Sequence, residues 1–436
     1  MEAPVINVGI LTEKAVSFLF NTEYVHAETG MFLTGEQRAL FVNGKIVFNG
    51  RLYNELFFEP TSPDSSFDLK AVTIGHDFHW QRQEDQRFKG ALNLVAGEDG
   101  IITINQVDAE EYLKSVISSE MSAKASLELL KAHAIISRSW LLAQVENKLT
   151  REQKKSSQSY YKDENELVRW YNHEDHDMFD VCADDHCQRY QGITRAVTPE
   201  VEEAISETRG EILTDGDSIC DTRFSKCCGG VTERFESCWE PTPHSYLTPI
   251  RDDASPQFPD LTKEEEARKW ILQTPASFCH TTDPAILKQI LNDYDQETTD
   301  FYRWKTVYSQ KELAELIHRK SGMNFGEIID LVPLERGASG RIVKLKIIGT
   351  HRTFIIGKEL EIRRTLSETH LYSSAFIVEK EDIHQDIPSR FILHGAGWGH
   401  GVGLCQIGAA VMGAKGYTYK QILSHYFPGA VLEKRY

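Results

Sequence analysis

The 436-residue sequence lacks long apolar runs and lacks an excess of basic charge. No apolar stretch approaches the length of about 20 residues that a membrane-spanning helix needs, so we expect no transmembrane segment. There are 48 Lys and Arg against 65 Asp and Glu, which gives a net charge of -17. Because nucleic-acid binding depends on clustered basic side chains, this charge and the lack of a basic run argue against a nucleic-acid partner.

The first residues, MEAPVINVGIL, contain neither the basic nor the apolar segment of a signal peptide. They leave two alternatives, a cytosolic protein or an exported protein whose signal peptide is absent from this sequence. Six of the eight cysteines lie between positions 182 and 238. Such clustering is typical of disulfides in an exported protein or of thiolate metal sites, and the even count favours export.

The hydrophobic pattern predicts an α+β fold. Residues 5–105 alternate like strands and contain NG and EDG turn signals. Helical patterns follow position 106 and recur in patches over 256–330, and strand patterns return at 331–382. We expect three parts: a β-rich N-terminal part at 1–105, a helical core with a cleft at 106–255 plus 391–436, and an inserted α+β segment at 256–390.

One predicted helix places a carboxylate on its own apolar face. In EEYLKSVISSEM (110–121), Glu120 lies in the middle of that face. Asp108 is the expected N-cap, with Glu111 three residues further on. The apolar positions around Glu120 are Tyr112, Leu113, Val116, Ile117 and Met121.

The next predicted helix, at about 126–148, has two cations on an inward face. Lys131 and Arg138 are seven residues apart, so they lie two turns from each other on one side. Buried cations need partners or a wet cleft. One interpretation is a structural salt bridge from Glu120 to Arg138 or Lys131. The other is a cleft in which Glu120 acts as an acid and the cations hold an anionic substrate.

Six segments in this order resemble the SpoIID/LytB family, which comprises stage II sporulation protein D and amidase-enhancer relatives. The two helices follow the family pattern E-Y-L-x-x-V-x-x-E-M and A-L-K-A-x-A-x-x-x-R, with Leu130 at one Ala position. The segments are NQVDAEEYLKSVISSEM, LELLKAHAIISRSWLLA, FDVCADDHCQRYQG, TRFSKCCGGVTE, YLTPIRDD and GWGHGVGLCQIGA with GYTYKQILSHYFPGA.

The resemblance implies an extracytoplasmic lytic transglycosylase that cleaves the MurNAc-GlcNAc β-1,4 bond of peptidoglycan. Glu120 matches the catalytic acid, and Lys131 and Arg138 match basic positions linked to activity. In this reaction the 6-hydroxyl of the sugar closes onto C1 and leaves a 1,6-anhydro end, so one carboxylate suffices where ordinary glycosidases use two. The alternatives are a non-catalytic glycan-binding module that stimulates a cell-wall amidase, and a zinc-dependent hydrolase.

The segment HEDHDMFDVCADDHC is rich in metal-ligand residues. Two thiolates and an imidazole can hold zinc with a water molecule as the fourth ligand. The resemblance implies His176, Cys182 and Cys187 as the ligands, in preference to His173 and His186. A Cys182–Cys187 disulfide is the alternative.

The remaining cysteines form no motif that the spacing connects to a metal. For Cys220, Cys227, Cys228 and Cys238 we expect disulfides. Cys405 lies where family members more often have a small polar residue.

Two glycine-rich stretches, CCGG (227–230) and GWGHGVG (397–403), allow close approach of the backbone to a ligand. Tight turns alone would also explain them. The resemblance places both loops around the cleft, and a stacking ring with hydrogen-bonding groups is common in sugar sites. The substrate-binding candidates here are Ser225, Gly229, Gly230, Trp398, His400 and Gln406.

Overall fold

The computed structural model describes residues 2–74, 82–121, 125–151, 160–170, 176–184, 186–194, 197–290, 300–369 and 371–436. Helices and strands are both abundant, so the predicted α+β class is confirmed. The chain forms two compact units. Unit one comprises Met1–Gln153, His173–Leu213 and Leu432–Tyr436, and unit two comprises Lys154–Asn172 and Thr214–Val431.

The secondary-structure elements are numbered in chain order. The N-terminal strands are β1 (Val5–Glu13), β2 (Ala15–His26), β3 (Met31–Val42), β4 (Lys45–Phe48), β5 (Arg51–Tyr53), β6 (Glu55–Pro60), β7 (Ser66–Ile74), β8 (Arg82–Lys89), β9 (Ala91–Ala96) and β10 (Ile101–Asp108). The central elements are α1 (Ala109–Glu120), α2 (Leu127–Arg151), β11 (Tyr160–Lys162), β12 (Glu166–Arg169), β13 (Val181–Cys182), α3 (Pro199–Glu207), β14 (Glu211–Asp215), β15 (Ser218–Ile219), β16 (Phe224–Ser225), α4 (Phe235–Cys238), α5 (Glu264–Leu272) and α6 (Pro284–Ile290). The C-terminal elements are β17 (Arg303–Ser309), α7 (Gln310–Ser321), β18 (Ile328–Arg336), β19 (Ile342–Gly349), β20 (Thr353–Gly357), α8 (Glu359–Thr365), β21 (Phe376–His384), β22 (Ile387–Ala396), β23 (Leu404–Cys405), α9 (Gln406–Ala414), α10 (Tyr419–Tyr426) and β24 (Val431–Lys434). Within the described ranges, no helix combines the length and the apolar character required to cross a membrane.

A large sheet forms the base of unit one. Its strand order is β13-β1-β10-β9-β6-β2-β3-β4-β5, and β7 pairs with both β2 and β8. Neighbouring strands in this sheet are antiparallel, except that β13 runs parallel to β1 and pairs Cys182 with Gly9. Asn43-Gly44 and Asn49-Gly50 both have positive φ angles, as two-residue hairpin turns require, which confirms the NG turn signals.

The two predicted helices are confirmed as α1 and α2. Strand β10 leads directly into α1, where Asp108 accepts hydrogen bonds from the backbone N–H groups of Glu110 and Glu111. Both faces of α2 are buried, as the pattern indicated, because Leu130 and Leu141 on one side and Ile136 on the other are fully inaccessible.

Unit two contains several smaller sheets. Their orders are β11-β12-β20-β19-β18 and β17-β22-β21, and β16 pairs in parallel with β23. Helices and strands alternate through 256–390, in agreement with the α+β character expected for that segment. The core there is formed by aliphatic and aromatic side chains that include Trp304, Leu345, Phe376 and Leu393.

The division into units differs from the three parts expected. The β-rich part is not separate, because β10 runs into α1 and β13 of the Cys/His segment extends the same sheet. The chain passes between the units four times, at 153–154, at 172–173, within β14 and within β24, instead of near residue 255.

The N-cap of α1 gives a first prediction. Asp108→Ala removes the side-chain acceptor of two backbone N–H groups, so we expect unfolding free energy to fall by about 1 kcal/mol. Thr198→Ala is the matched control, because Thr198 caps α3 without a side-chain hydrogen bond. Urea denaturation followed by circular dichroism measures both. Equal losses in the two variants would contradict the capping role of Asp108.

Candidate functional site

Glu120 is the last residue of α1 and is half-buried. The five surrounding apolar positions predicted to face inward are buried, which confirms the orientation of the helix. The Oε1 atom of Glu120 accepts a hydrogen bond of 2.9 Å from the backbone N–H of Arg189. Its carboxylate is therefore held at the end of an apolar face and is not sealed within the core.

The salt bridge from Glu120 to Arg138 or Lys131, one of the two interpretations of the pattern, is wrong. Arg138 instead makes a bidentate pair with Glu110, with Nε–Oε1 and Nη2–Oε2 distances of 2.9 and 2.7 Å. Its Nη1 donates to the carbonyl of Glu211. Burial raises the pKa of Glu110, but hydrogen bonding and the charge of Arg138 outweigh it and lower that pKa. The pair is thus ionised and joins the start of α1 to α2.

Lys131 and Arg138 are both paired with carboxylates of unit one, and the substrate-binding role predicted for them stays a prediction. The Arg138 side chain is 0% exposed. The Nζ of Lys131 lies 2.5 Å from Glu207 on α3 and 3.5 Å from Glu128, and its side chain is 11% exposed. Both residues therefore connect helices of unit one to each other.

The chain segment 187–191 packs against α1 beside Glu120. The backbone N–H of Gln191 donates to Ser115 Oγ at 3.0 Å. The ring of Tyr190 stacks on Tyr112 with 5.0 Å between centroids, and its hydroxyl donates to Asn105. These contacts fix the backbone that donates the Arg189 N–H to Glu120.

The Cys/His segment forms a compact donor set next to this backbone. One atom from each of His176, Cys182, His186 and Cys187 lies within 4.8 Å of all the others. His176 Nε2 is 3.2 Å from His186 Nδ1, and Cys187 Sγ is 3.5 and 3.6 Å from these two nitrogens. A tetrahedral zinc site with bonds of about 2.0–2.3 Å gives donor separations of about 3.3–3.8 Å. The donors therefore fit zinc.

The donor set differs from the one expected in its fourth member. His186 lies with the three expected residues, so the set has four protein donors, and His186 takes the fourth position, where a water molecule was expected. His173 lies outside the described residues. Hydrogen bonding with Cys187 lowers the pKa of the Cys182 thiol far below its ordinary value, which favours the thiolate that zinc binds.

A groove lies at the opposite end of α1. It has a volume of about 550 Å³ and is lined by charged residues of α1 and α3, among them Glu111, Lys114 and Glu202, and by Arg209 just after α3. At 1.5 Å per residue, Glu120 lies about 9 Å along the helix from Lys114, the groove residue nearest to it in α1.

The two glycine-rich loops pair with each other within unit two. Cys227 and Trp398 exchange backbone hydrogen bonds of 3.1 and 2.8 Å, and Glu233 donates its N–H to the carbonyl of Gly401. At Gly230, φ is +107° and a Cβ atom would lie 2.8 Å from the Trp270 ring. Gly229 accepts hydrogen bonds from Trp270 Nε1 and from Arg303. The glycines therefore allow close packing of the loops against each other and against Trp270, and a substrate-binding role for Gly229 and Gly230 stays a prediction.

The substrate-binding candidates of these loops differ in exposure. Trp398 and His400 are half-buried, with Trp398 stacked on Phe301 at 4.7 Å. Burial and nearby arginines lower the pKa of His400, whose Nδ1 accepts from the N–H of Val402. Gln406 is 2% exposed, and the substrate-binding role predicted for it stays a prediction. Ser225 Oγ is buried and makes no hydrogen bond to any described residue.

Sequence reasoning missed two buried charged residues that shape these loops. Arg341, 1% exposed, donates to the carbonyls of Gly399 and Cys228 and to Ser339 Oγ. The Glu233 carboxylate accepts from the N–H groups of Ala338 and Ser339. Apart from Ser339, which is two positions from Arg341, the partners named here lie 58 to 113 positions away in the sequence, so no local spacing signals them.

The disulfides expected among the cysteines are absent. All eight, each of them within the described residues, are free thiols. Cys220 and Cys238 are buried, and neither contacts another sulfur among the described residues. Cys238 Sγ lies 3.7 Å from the carbonyl oxygen of His400.

Comparison with known proteins adds family information. Residues 97–214 match the SpoIID family, described as stage II sporulation protein, and residues 233–403 match a domain of unknown function (DUF8618). The half-buried carboxylate and the Cys/His donor set thus lie in a domain of the stage II sporulation protein type. Over residues 97–214 the chain is similar to the SpoIID family.

The similar proteins are distant in sequence. An uncharacterized protein of Brachyspira hyodysenteriae is 25% identical over 78% of this chain and 71% of its own length. The stage II sporulation protein D of Bacillus subtilis is 24% identical over 79% of this chain and 82% of its own length. The amidase enhancer of Bacillus subtilis is 24% identical over 73% of this chain, which spans only 40% of that relative.

The buried pair between Arg138 and Glu110 gives a second prediction. Arg138→Met leaves the Glu110 carboxylate buried without its cation, so we expect a loss of about 3–5 kcal/mol in unfolding free energy. Lys131→Met is the matched control on the same helix. Its partner Glu207 is half-exposed, so we expect a loss of at most about 1 kcal/mol. Chemical denaturation measures both, and a similar loss in the two variants would contradict the assignment.

Proposed function

We propose that the protein is a peptidoglycan lytic transglycosylase with Glu120 as its single general acid and base. The observation that supports this most is the state of Glu120. It ends a buried helix face, is half-buried, and is oriented by a backbone N–H, while Lys131 and Arg138 are bound to other carboxylates. The names of the relatives, a stage II sporulation protein D and an amidase enhancer, support a function related to the cell wall.

In the proposed reaction, Glu120 donates its proton to the oxygen of the MurNAc-GlcNAc β-1,4 bond as that bond breaks. The 6-hydroxyl of the MurNAc residue attacks C1 and forms the 1,6-anhydro ring, and its proton passes to the Glu120 carboxylate. Glu120 thereby returns to its starting protonation state, and no water is consumed. A positioned acid of this kind contributes typically about 10²–10⁴-fold to the rate.

The other carboxylates near the start of α1 have separate roles. Glu110 is bound to Arg138, and Glu111 lies 2.5 Å from Lys114 of the same helix. Neither is placed as the second carboxylate that a conventional glycosidase uses. Arg138 acts in this scheme as a positioning residue, because it fixes α1 against α2.

The Cys/His donor set is proposed to bind one structural zinc ion through His176, Cys182, His186 and Cys187. Four protein donors are typical of closed structural sites, whereas catalytic zinc keeps an open position. This favours the transglycosylase over a zinc hydrolase. The ion would hold the segment that carries Arg189, and through it the orientation of Glu120.

A second candidate function is a non-catalytic module that binds glycan and stimulates a cell-wall amidase. The amidase enhancer among the relatives favours it. The half-buried Trp398 and His400 of unit two are candidates for sugar contacts under either function. Both functions place the protein outside the cytoplasm, with glycan strands as its partner.

The catalytic role of Glu120 gives a third prediction. Glu120→Gln preserves size and the acceptor for the Arg189 N–H but removes the acid, so we expect at least about a 100-fold loss of glycan cleavage. The control is Glu111→Gln, the same change on the same helix, which should retain activity. Mass spectrometry of digested glycan strands measures both the rate and the product ends.

The products separate the candidate functions. Wild-type digestion should give ends that are lighter by one water molecule than hydrolysed ends. Full cleavage by Glu120→Gln, or hydrolysed ends from the wild type, would contradict the transglycosylase. Glycan binding without any cleavage would support the amidase-stimulating module instead.

Zinc content gives a fourth prediction. Cys182→Ser with Cys187→Ser removes both thiolates of the Cys/His set, so the purified chain should contain one zinc ion fewer than the wild type. Cleavage should weaken mainly in kcat, because the Arg189 backbone would no longer be fixed beside Glu120. Metal analysis by plasma mass spectrometry checks the first expectation and steady-state kinetics the second. Unchanged zinc content would contradict this site.

A further inference from the structure

A second cluster of possible metal ligands lies deep inside unit two. One donor atom from each of Cys228, Asp252, Cys279 and Cys405 lies within 4.8 Å of all the others. Each of these residues is at most 2% exposed. They come from four separate segments of the chain, and two of them, Cys228 and Cys405, adjoin the glycine-rich loops.

The distance between two of these sulfur atoms distinguishes a disulfide bond from a shared metal ion. Cys228 Sγ and Cys279 Sγ are 3.6 Å apart. A disulfide needs about 2.05 Å between its sulfurs. Two thiolates on one tetrahedral zinc ion, with bonds of about 2.3 Å, lie about 3.8 Å apart. The observed separation matches the shared metal.

The groups around the cluster are those that surround thiolate metal sites. The N–H of Cys228 donates to Cys405 Sγ at 3.2 Å, and the N–H of Gly230 donates to Cys228 Sγ at 3.4 Å. Asp252 accepts from the hydroxyl of Tyr426 at 2.6 Å and from the N–H of Cys279 at 2.8 Å. Such outer contacts orient metal ligands and offset their negative charge.

The carboxyl group of Asp252 pairs with no cationic side chain among the described residues. Asp252 is 0% exposed, and none of the ion pairs recorded among the described residues involves it. A buried carboxylate is costly unless it is paired or bound to a metal. Gly408, in the first turn of α9, allows its approach, because a Cβ atom there would lie 2.4 Å from Asp252 Oδ1.

We propose that Cys228, Cys279, Cys405 and Asp252 bind one zinc ion in a closed structural site of unit two. Binding releases the three thiol protons to solvent and changes no oxidation state. The site explains why a cysteine occupies position 405. It also explains how four segments that are far apart in sequence are fixed together, and it is independent of the chemistry proposed for Glu120.

The experiment measures zinc in a chain that lacks the Cys/His thiolates. The full-length Cys182→Ser/Cys187→Ser chain, dialysed against metal-free buffer, should retain one zinc ion per chain. Adding Cys405→Ser or Asp252→Asn should remove most of it. Adding Cys238→Ser is the matched control, since this buried thiol of unit two lies outside the cluster, and zinc content should not change.

Cobalt substitution keeps the test decisive if a variant does not fold. In the Cys182→Ser/Cys187→Ser chain, the four ligands of the proposed site are unaltered. They should bind Co²⁺, and the complex should show the absorption spectrum of tetrahedral Co²⁺ with a thiolate charge-transfer band. Absence of both zinc and this band would overturn the proposal. So would a Cys228–Cys279 disulfide, seen as the loss of two hydrogens in the intact mass. Loss of zinc only upon removal of Cys182 and Cys187 would overturn this site while leaving the Cys/His site intact.

Discussion

The ion pair between Arg138 and Glu110 is the constraint on which the arrangement around Glu120 depends. Two charges of opposite sign are taken out of water at the start of α1, and their bidentate geometry offsets the cost of desolvation. Tyr436 and the N–H of Gly210 complete the hydrogen bonding of the same carboxylate. Because Arg138 is bound there, it does not neutralise Glu120 at the other end of the helix.

A backbone N–H group orients the carboxylate of Glu120. The Arg189 N–H that orients it belongs to a short segment fixed by Ser115, by the stacking of Tyr190 on Tyr112, and by the neighbouring Cys/His donors. A backbone donor fixes the direction of a carboxylate without adding a side-chain cation beside it. This suits an acid that must give up and regain one proton in each turnover.

The cysteines illustrate how burial changes the meaning of a sequence feature. Clustered cysteines in a chain expected to be exported favour disulfides, yet the sulfurs here approach one another at distances suited to a shared ion. In unit two the same region is reinforced by Arg341 and Glu233, each buried and each bonded to several groups. The glycine-rich loops are thus held by polar networks on their inner side, with Trp398 and His400 partly accessible.

The sequence by itself determined the α+β class, the hairpin turns, the two helices with the Asp108 cap, and the inward orientation of the face that carries Glu120. These follow from periodicity and local hydrogen bonding, which act over a few residues. Only the tertiary structure decided the partners of Arg138 and Lys131, the entry of His186 into the donor set, the two-unit division, and the meeting of Cys228, Asp252, Cys279 and Cys405. Those outcomes depend on contacts between residues far apart in the chain, which no local pattern encodes.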